Sequence, residues 1–335
     1  MTLSANPLQN LFPTIPNYTL AEQIYAGSRT AVYRAVQTSQ QRPVVIKVLQ
    51  RDCPSFSELV QFRNQYEITK NLPIPGIVQP LSLESLGSGY ALVMEDWGGM
   101  ALSKYSQHQS LNLEQILKIA LQIASILHDL SQHQVIHKDI KPANILIHPE
   151  SHQVRLIDFS IASRLPKETQ EIQSPNVLEG TLAYLAPEQT GRMNRGIDYR
   201  AEFYALGVTL YQLLTGTLPF ISDDPLELMH CHLAKQPLPV DQVQPEVPAP
   251  VAAIVAKLMA KNAEDRYQSA LGLQHDLQHC LTQWEATGTI STFELGQRDL
   301  SDRFLIPEKL YGREAEIQSL LEAFDRVADG VTELM

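Results

Sequence analysis

Three short segments carry the side chains of this chain that could do chemistry. Val44–Lys47 is an apolar run that ends in a lysine, His137–Asn144 reads HKDIKPAN, and Leu156–Phe159 is an apolar run that ends in an aspartate and an aromatic residue. Lysine amines can neutralise anionic groups, and carboxylate or amide oxygens are the ligands that hard divalent cations prefer. A lone lysine on a strand, or a lone Asp-Phe pair, is usually a solvated charge or a core residue. The three segments in this order are far more specific.

The part of the chain before residue 100 that must position these side chains is predicted to be mostly strands. Turn-bounded runs rich in apolar and β-branched residues predict strands at 18–24, 31–36, 43–49 and 89–95. Residues 57–72 instead place apolar side chains at helical spacing. The lysine of the first segment therefore lies on a predicted strand that is followed by one helix.

After residue 100 the pattern changes to helices. Leu113–His133 is long and amphipathic, and further helices are predicted at 201–214, 250–260 and 268–284. The fold class indicated is α+β, with a small, mostly-β lobe (18–97) followed by a larger, mostly-α lobe (98–284). Because ligands favour junctions between such lobes, we expect the site to lie in a cleft between them.

The composition excludes several classes of function. The 335 residues are 44% hydrophobic and carry a formal net charge of −11, which allows a sizeable core and disfavours nucleic-acid binding. The three cysteines form no CxxC pair, so they are interpreted as free thiols in a reducing cytoplasm. No apolar run approaches the roughly 18 residues of a membrane helix. Residues 1–17 are interpreted as a loose leader, not a secretory signal.

The order of the three segments, followed by Ala186–Glu188 (APE), resembles the signature of Hanks-type, or eukaryotic-like, protein kinases. This resemblance implies the bilobal protein-kinase fold and transfer of the γ-phosphoryl group of ATP to protein hydroxyl groups. Lys141, together with Gly180-Thr181 before APE, favours the serine/threonine branch of the family over the tyrosine branch.

By this resemblance, five residues form the catalytic and metal site. Lys47 is expected to hold the α- and β-phosphates of ATP. Asp139 is expected to accept or orient the proton of the substrate hydroxyl, and Lys141 to neutralise the γ-phosphate. Asn144 and Asp158 are expected to bind Mg²⁺, or alternatively Mn²⁺, through oxygen atoms. Such a transfer depends on positioning and charge neutralisation more than on covalent help.

The resemblance also implies residues that bind the adenine base and residues that support the site. The backbone of Glu95 and Trp97 is expected to hydrogen-bond to the base, with Met94 behind it; alternatively, Trp97 is a rim aromatic with no ligand role. The remaining ATP-binding candidates are Ile24, Gly27 and Val32. Structural or regulatory roles are implied for Gln65, His137, Lys138, Phe159, Thr181, Glu188, Glu202 and Arg266. Glu188 and Arg266 match a buried ion pair of the family, the alternative for Arg266 being a surface arginine.

The nucleotide loop departs from the family pattern G-x-G-x-x-G-x-V. Ile24–Val32 reads IYAGSRTAV, so only Gly27 remains, while Tyr25 and Thr30 replace the first and third glycines. Glycine lets backbone N–H groups approach phosphates closely. We therefore expect this loop to bind ATP more weakly, or in a changed conformation.

Four other positions depart from the family. Gln65 occupies the helix position, counted back from Pro75, where the family has the glutamate that pairs with the strand lysine. An uncharged acceptor is expected to hold the active conformation less firmly. Lys138 replaces an arginine that grips an activation-loop phosphate as a planar fork, which makes activation by loop phosphorylation doubtful. Ser160 and Glu202 replace a glycine and an aspartate, and both changes are mild.

Several phrases go beyond the general signature; they are Leu72–Val78, Glu188–Arg195, Asp198–Arg200 and Leu310–Glu314. They resemble the kinase domain of large bacterial hybrid sensor kinases, in which a serine/threonine kinase domain precedes an AAA-type ATPase domain and then GAF and histidine-kinase modules. Residues 285–302 are interpreted as a linker. Residues 303–335 are interpreted as the truncated start of the ATPase domain, because they are too few to bury a core.

Two hypotheses of function follow. The first is an active serine/threonine kinase in signal transduction, whose partners are ATP, a protein substrate and downstream sensor or histidine-kinase modules. The second is a pseudokinase, a regulatory nucleotide-binding module that acts through a partner, and its support is the altered loop and Gln65. A small-molecule kinase is a minor third, because the segment before APE docks a peptide in the family. Nucleic acid and membranes are not expected as partners, and the expected location is the cytoplasm.

Overall fold

The computed structural model describes residues 13–51, 53–164, 180–193, 195–300 and 314–328. Most of the predicted leader, and part of the predicted start of an ATPase domain, therefore lie outside the described residues. Within the described ranges, no helix is long and apolar enough to cross a membrane.

The described residues form two compact units. The first comprises the chain up to Ser110 together with Asp129–Arg164, and the second comprises Leu111–His128 together with the chain after Arg164. The candidate catalytic and metal-binding residues all belong to the first unit. The predicted ion pair of Glu188 and Arg266 belongs to the second.

The first unit is built on a five-stranded antiparallel sheet with the strand order β1-β2-β3-β5-β4. Its strands are β1 (Tyr18–Ala26), β2 (Thr30–Gln37), β3 (Arg42–Leu49), β4 (Pro80–Leu86) and β5 (Gly89–Glu95). Four of them confirm predicted strands. β4 is not among the predicted strands; its sequence PLSLESL alternates apolar and polar residues only over 81–84, and Leu81 and Leu83 pack against different core clusters.

The two faces of this sheet bury different groups. Side chains alternate along β3, so Val44, Ile46 and Val48 enter a core shared with β2 and β5. Lys47 points to the opposite face, on which Leu92 of β5 packs against Phe62. The alternation of β3 thus places one cation on an otherwise apolar face.

The helix that packs on this second face is α1 (Phe56–Thr69), which confirms the predicted helix. It begins at Ser55, whose hydroxyl accepts a hydrogen bond from the Glu58 N–H, while the Glu58 carboxylate accepts one from the Ser55 N–H. This reciprocal capping box satisfies two N–H groups that the first turn would otherwise leave unpaired. It fixes where α1 starts, and hence which residues face Lys47.

A small three-stranded sheet completes the first unit, with the order β6-β7-β8. Its strands are β6 (Met100–Ala101), β7 (Ile145–Ile147) and β8 (Val154–Leu156), and α2 (Leu102–His108) follows β6 directly. β7 pairs antiparallel with β8. Asn144 precedes β7 and Asp158 follows β8, so this pairing brings the ends of the second and third chemical segments together.

The second unit is helical. Its helices are α4 (Arg200–Thr215), α5 (Pro225–Leu233), α6 (Val240–Val243), α7 (Ala249–Leu258), α8 (Ala270–Thr287) and α9 (Glu314–Ala328), and α3 (Leu113–Gln132) contributes its residues up to His128. α4 is buried over most of its length and packs against α7. Gly207 of α4 permits this contact, because a Cβ there would lie 2.9 Å from Cβ of Leu258. The α+β fold class is confirmed by the antiparallel sheet and this helical C-terminal part.

Part of the predicted linker 285–302 is packed structure. α8 continues to Thr287 and ends at Gly288, and the chain then returns to the start of the same helix. There the Asp299 carboxylate accepts hydrogen bonds from the N–H groups of Gln268 and Ser269 at 2.7 and 2.8 Å. The prediction rested on polarity and missed this, because an aspartate is polar whether it is solvated or bonded to backbone N–H groups.

Candidate active site

Lys47 is the centre of the first cluster of candidate site residues. It lies mid-strand on β3, between Val32 of β2 and Leu92 of β5, and only 8% of it is exposed. Its Nζ donates to Oδ1 of Asp158 at 2.8 Å and to Oε1 of Gln65 at 3.0 Å. A buried ammonium must be paired to be tolerated, and this lysine has one charged and one neutral acceptor.

Asp158 is ionised in this arrangement. Burial by itself raises the pKa of this carboxyl, but the charge and hydrogen bond of Lys47 outweigh burial and lower the pKa to about 2. The backbone of Asp158 has φ of 65°, in the left-handed region that costs free energy for residues with a Cβ. A carboxylate that is charged at neutral pH is thus held in a conformation that its surroundings must maintain.

The second cluster surrounds Asp139 in the loop between α3 and β7. Oδ2 of Asp139 accepts hydrogen bonds from Lys141 Nζ at 2.6 Å and from Asn144 Nδ2 at 2.8 Å. Nδ2 of Asn144 also donates to the backbone carbonyl of Asp139 at 2.9 Å. The loop therefore closes on itself around one carboxylate, whose position is set by the two residues that follow it in the motif.

His137 joins this loop to the segment that carries Asp158. Its side chain is fully buried, and its Nε2 donates to the carbonyl of Ile157 at 2.9 Å while Nδ1 accepts from the Asp139 N–H at 3.3 Å. These two bonds assign the proton to Nε2. The ring also meets Phe159 edge-on, with 4.5 Å between ring centroids. His137 and Phe159 are therefore packed side chains that fix the distance between the two clusters.

Asn144 and Asp158 could hold a divalent cation together. The N–H of Ile157 donates to the carbonyl of Asn144 at 3.0 Å, which places Asn144 beside the residue that precedes Asp158. Asn144 uses its amide nitrogen toward Asp139, so its amide oxygen is the atom left for a cation. One carboxylate and one amide oxygen fit Mg²⁺, which commonly takes one or two protein ligands and keeps waters or phosphates for the rest. Among the described residues, no group of three or more His, Cys, Asp or Glu is arranged as a metal site.

The nucleotide loop is shaped by Tyr25 as well as by glycine. Tyr25 of β1 pairs with Val32 of β2, which in turn pairs with Lys47. The Tyr25 ring lies against Gly27, because a Cβ at residue 27 would be 2.9 Å from Cζ of that ring. Ile24 is half-buried, and its carbonyl accepts a hydrogen bond from Lys104 of α2 at 3.0 Å. An aromatic ring thus covers the one glycine that the loop retains.

The residues expected around the adenine base lie at the end of β5. Met94 is buried in the apolar core under α1. The Glu95 N–H bonds to the carbonyl of Gln79 at 3.1 Å, so a contact of this residue with a base would use its carbonyl. The Trp97 ring packs 4.7 Å from the Arg155 guanidinium and 5.7 Å from the His148 ring. The indole ring is therefore packed against two side chains of the same unit, and the predicted contact of the Trp97 backbone with a base stays a prediction.

The predicted pair of Glu188 and Arg266 forms in the second unit. Nη1 and Nη2 of Arg266 donate to the two carboxylate oxygens at 2.6 and 2.8 Å, and the side chains are 0% and 1% exposed. Arg266 also donates to the backbone carbonyls of Ala260, Arg200 and Lys261. The guanidinium thus joins the APE segment to the start of α4 and to the chain after α7.

A second buried ion pair lies beside this one and is not among the sequence predictions. Arg195 donates to both carboxylate oxygens of Glu264 at 2.8 and 2.9 Å. Burial raises the pKa of Glu264, but the hydrogen bonds and charge of Arg195 outweigh burial and lower the pKa to about 2. Arg195 ends the phrase EQTGRMNR, so that phrase was the available signal. The phrase therefore contributes to a buried ion pair in addition to the family resemblance.

The remaining candidates have defined places. Lys138 is buried, and its backbone has φ of 68°. Thr181 directly precedes the 3₁₀ turn Leu182–Tyr184, and its carbonyl accepts a hydrogen bond from the Tyr184 N–H at 2.9 Å. Glu202 is buried in the first turn of α4. Thr181 and Glu202 both lie in the second unit.

The chain belongs to the protein kinase family, because the model of the protein kinase domain matches residues 18–278. The expected relation to Hanks-type kinases of the bacterial serine/threonine class is confirmed by its relatives.

Two curated relatives illustrate that relation. Serine/threonine-protein kinase PknB of Mycobacterium leprae is 32% identical over 268 residues, which cover 78% of this chain and 42% of the relative. Serine/threonine-protein kinase PrkC of Bacillus subtilis is 33% identical over 264 residues, which cover 78% of this chain and 40% of the relative. The match thus spans about two fifths of the length of these relatives.

Proposed function

We propose that this chain is a serine/threonine protein kinase, which transfers the γ-phosphoryl group of ATP to protein hydroxyl groups in signal transduction. The observation that carries the proposal is the arrangement around Asp139, whose Oδ2 accepts hydrogen bonds from Lys141 and Asn144 at 2.6 and 2.8 Å. Lys47 and Asp158, in the first cluster, belong to the same unit. Together they offer an acceptor for a hydroxyl proton, cations for phosphate charge and oxygen ligands for a divalent cation.

In this proposal each residue has a distinct task. Asp139 accepts or orients the proton of the substrate hydroxyl, and Lys141 places positive charge beside the incoming γ-phosphate. Lys47 holds the α- and β-phosphates, and its bonds to Gln65 and Asp158 set where its amine lies. A divalent cation, when bound by the oxygens of Asn144 and Asp158, would supply further neutralisation of phosphate charge.

The test is transfer of radiolabelled γ-phosphate from Mg·ATP to the chain itself and to a generic basic protein. We expect label on serine or threonine in the wild type, and about a hundredfold less in Asp139→Asn, which keeps the shape but removes the proton acceptor. Asp223→Asn, at an exposed aspartate in the second unit, is the matched control and is expected to keep full activity. Undiminished transfer by Asp139→Asn would refute the assignment of the base.

A pseudokinase that senses nucleotide through a partner is the second candidate. The observation that favours it is the Tyr25 ring lying against Gly27, where a family member offers open backbone to phosphate. The uncharged Gln65 beside Lys47 points the same way. ATP binding without transfer by the wild type would establish this candidate in place of the first.

We further propose the context that the sequence resemblance suggests. Residues 303–335 would begin an AAA-type ATPase domain of a bacterial hybrid sensor kinase in the cytoplasm, with histidine-kinase modules downstream. The support from the described part of this segment is α9, whose Leu320, Leu321 and Phe324 are exposed, as expected of a helix that packs on further structure. Co-purification of this chain with such modules, lost on substitution of these three residues by serine, would test the context.

A further inference from the structure

The chain segment after Asp158 is held to α1 by the side chain of Asn64. Nδ2 of Asn64 donates to the carbonyl of Ser160 at 3.1 Å and to the carbonyl of Ala162 at 2.9 Å. A side-chain amide has two N–H donors, so both bonds form at once. Because the two acceptors are close neighbours of Asp158 in the chain, Asn64 fixes the turn that begins at this carboxylate.

The same turn is also held by backbone hydrogen bonds, one within the turn and two to the chain before His137. The Ala162 N–H donates to the carbonyl of Phe159 at 3.2 Å within the turn. Ser163 and Ile136 then exchange two backbone hydrogen bonds, each of 2.9 Å. Ile136 immediately precedes His137, so the turn lies between α1 and the loop that carries Asp139. Any shift of the turn would change the position of Asp158 relative to that loop.

The conformation of Asp158 makes such support necessary. Its φ of 65° is unfavourable for a residue with a Cβ, and such residues persist only where their neighbours hold them. The charged group opposite, Lys47, holds the carboxylate but not the backbone. The two bonds from Asn64 hold the backbone that follows Asp158, at Ser160 and Ala162.

Asn64 and Gln65 are adjacent residues that act on this segment in different ways. Gln65 acts on it only through Lys47. Its neutral amide oxygen accepts a hydrogen bond from Lys47, where a glutamate would form an ion pair. Asn64 reaches the backbone without an intermediary. Near the C-terminal end of α1, the carbonyl of Ile68 accepts a hydrogen bond from Nη2 of Arg164 at 2.8 Å. The helix is therefore joined to the chain after Asp158 at a second point.

We propose that Asn64 is a positioning residue for phosphoryl transfer, which holds the turn 158–162 against α1 and so supplies anchoring that a Lys–Glu ion pair would otherwise provide. The inference rests on the proposed kinase function for its kinetic consequence. Its structural part, the anchoring of the turn to α1, is independent of catalysis.

The structural part is tested by hydrogen exchange of the intact chain without nucleotide. Asn64→Leu removes both donors and keeps a similar volume. We expect amides in 158–162 to exchange about fivefold faster or more, since about fivefold is the lower end of the effect of two lost neutral hydrogen bonds. Gln61→Leu is the matched control, since Gln61 is half-buried like Asn64 and lies one turn earlier on α1. Equal exchange of this segment in wild type and Asn64→Leu would overturn the proposal.

The kinetic part is tested by a double-substitution cycle with Gln65→Glu. Asn64→Leu alone is expected to lower kcat about tenfold and to leave KM for the protein substrate unchanged. In the Gln65→Glu background the same change should cost about threefold or less, because the restored ion pair takes over part of the anchoring. Equal losses in both backgrounds would refute the substitution of one anchor for the other.

These measurements separate failure of this inference from failure of the proposed function. A wild type that transfers no phosphate refutes the kinase proposal, while the exchange measurement still decides whether Asn64 anchors the turn. Asn64→Ser, which retains one hydroxyl donor, is the second variant if Asn64→Leu does not fold. It should give faster exchange than wild type by a smaller factor, and unchanged exchange in this variant counts against the proposal in the same way.

Discussion

The ion pair of Glu188 and Arg266 gives the sharpest test of what holds the second unit together. Arg266→Met removes the guanidinium and keeps an unbranched apolar side chain. The Glu188 carboxylate, 1% exposed, is then left without its partner, and the carbonyls of Ala260, Arg200 and Lys261 each lose a donor. The variant therefore tests both the charge pair and the backbone contacts of one residue.

The expected magnitude follows from these contacts. Breaking a buried ion pair by removing one partner costs about 3–5 kcal/mol, because the other charge stays buried. The carbonyls of Ala260 and Lys261 each add about 1 kcal/mol when they lose their donor, whereas the Arg200 carbonyl keeps its intrahelical bond in α4. We therefore expect Arg266→Met to lower the free energy of unfolding by at least about 4 kcal/mol, a large share of the stability of an ordinary domain. Glu188→Gln keeps the three carbonyl bonds and should cost less than Arg266→Met.

The assay is urea unfolding at equilibrium, monitored by tryptophan fluorescence and by circular dichroism. The double variant Arg266→Met/Glu188→Leu removes the uncompensated charge and should recover about 3 kcal/mol relative to Arg266→Met, leaving the carbonyl cost. A loss below about 1 kcal/mol in Arg266→Met would refute the reasoning. So would a double variant no more stable than Arg266→Met, since the cost would then not come from a buried unpaired charge.

Three further predictions concern single residues. The pKa of Glu264 is lowered to about 2 from an ordinary 4.5. The contribution of this carboxylate to stability is therefore complete above about pH 4.5 and is lost as the pH falls toward 2. The difference in unfolding temperature between wild type and Glu264→Gln should shrink over that range. Tyr25→Gly, which uncovers Gly27, is expected to lower the Kd for ATP about threefold by calorimetry, and an increase would contradict the covering role. Gln65→Glu is expected to raise the rate of transfer from Mg·ATP about fivefold; no transfer before or after the change favours the pseudokinase.

The sequence predicted the architecture where local patterns are strong. β3 and β5 are apolar runs bounded by turns, and α3 and α8 keep apolar side chains at helical spacing over a long stretch. The existence of these elements therefore follows from side-chain patterning alone. β4 lacks such a pattern, because its alternation stops at Glu84 and its Leu81 and Leu83 pack against different core clusters. The packing of Asp299 at the start of α8 was not predictable from local patterns, because it depends on a residue about thirty positions earlier in the chain.

The candidate site was predictable to the level of residue identity. HKDIKPAN specifies Asp139, Lys141 and Asn144 by spacing, and the structure brings them within hydrogen-bond distance of one another. Trp97 illustrates the limit, since the sequence places it at the end of β5 but does not say that its ring packs on Arg155. The direction of a side chain is set by neighbours that are distant in sequence.

The sequence by itself determined the family, the order of the chemical segments and the departures at Tyr25 and Gln65. Only the tertiary structure decided how those departures are accommodated: Tyr25 lies against Gly27, and Asn64 bonds to the backbone after Asp158. The physical reason is that hydrogen bonds and ring contacts depend on distances of a few ångströms, which the backbone path and packing set together; Asn64 and Ser160, for example, are 96 residues apart. Such distances are created by packing, and no local spacing in the sequence encodes them.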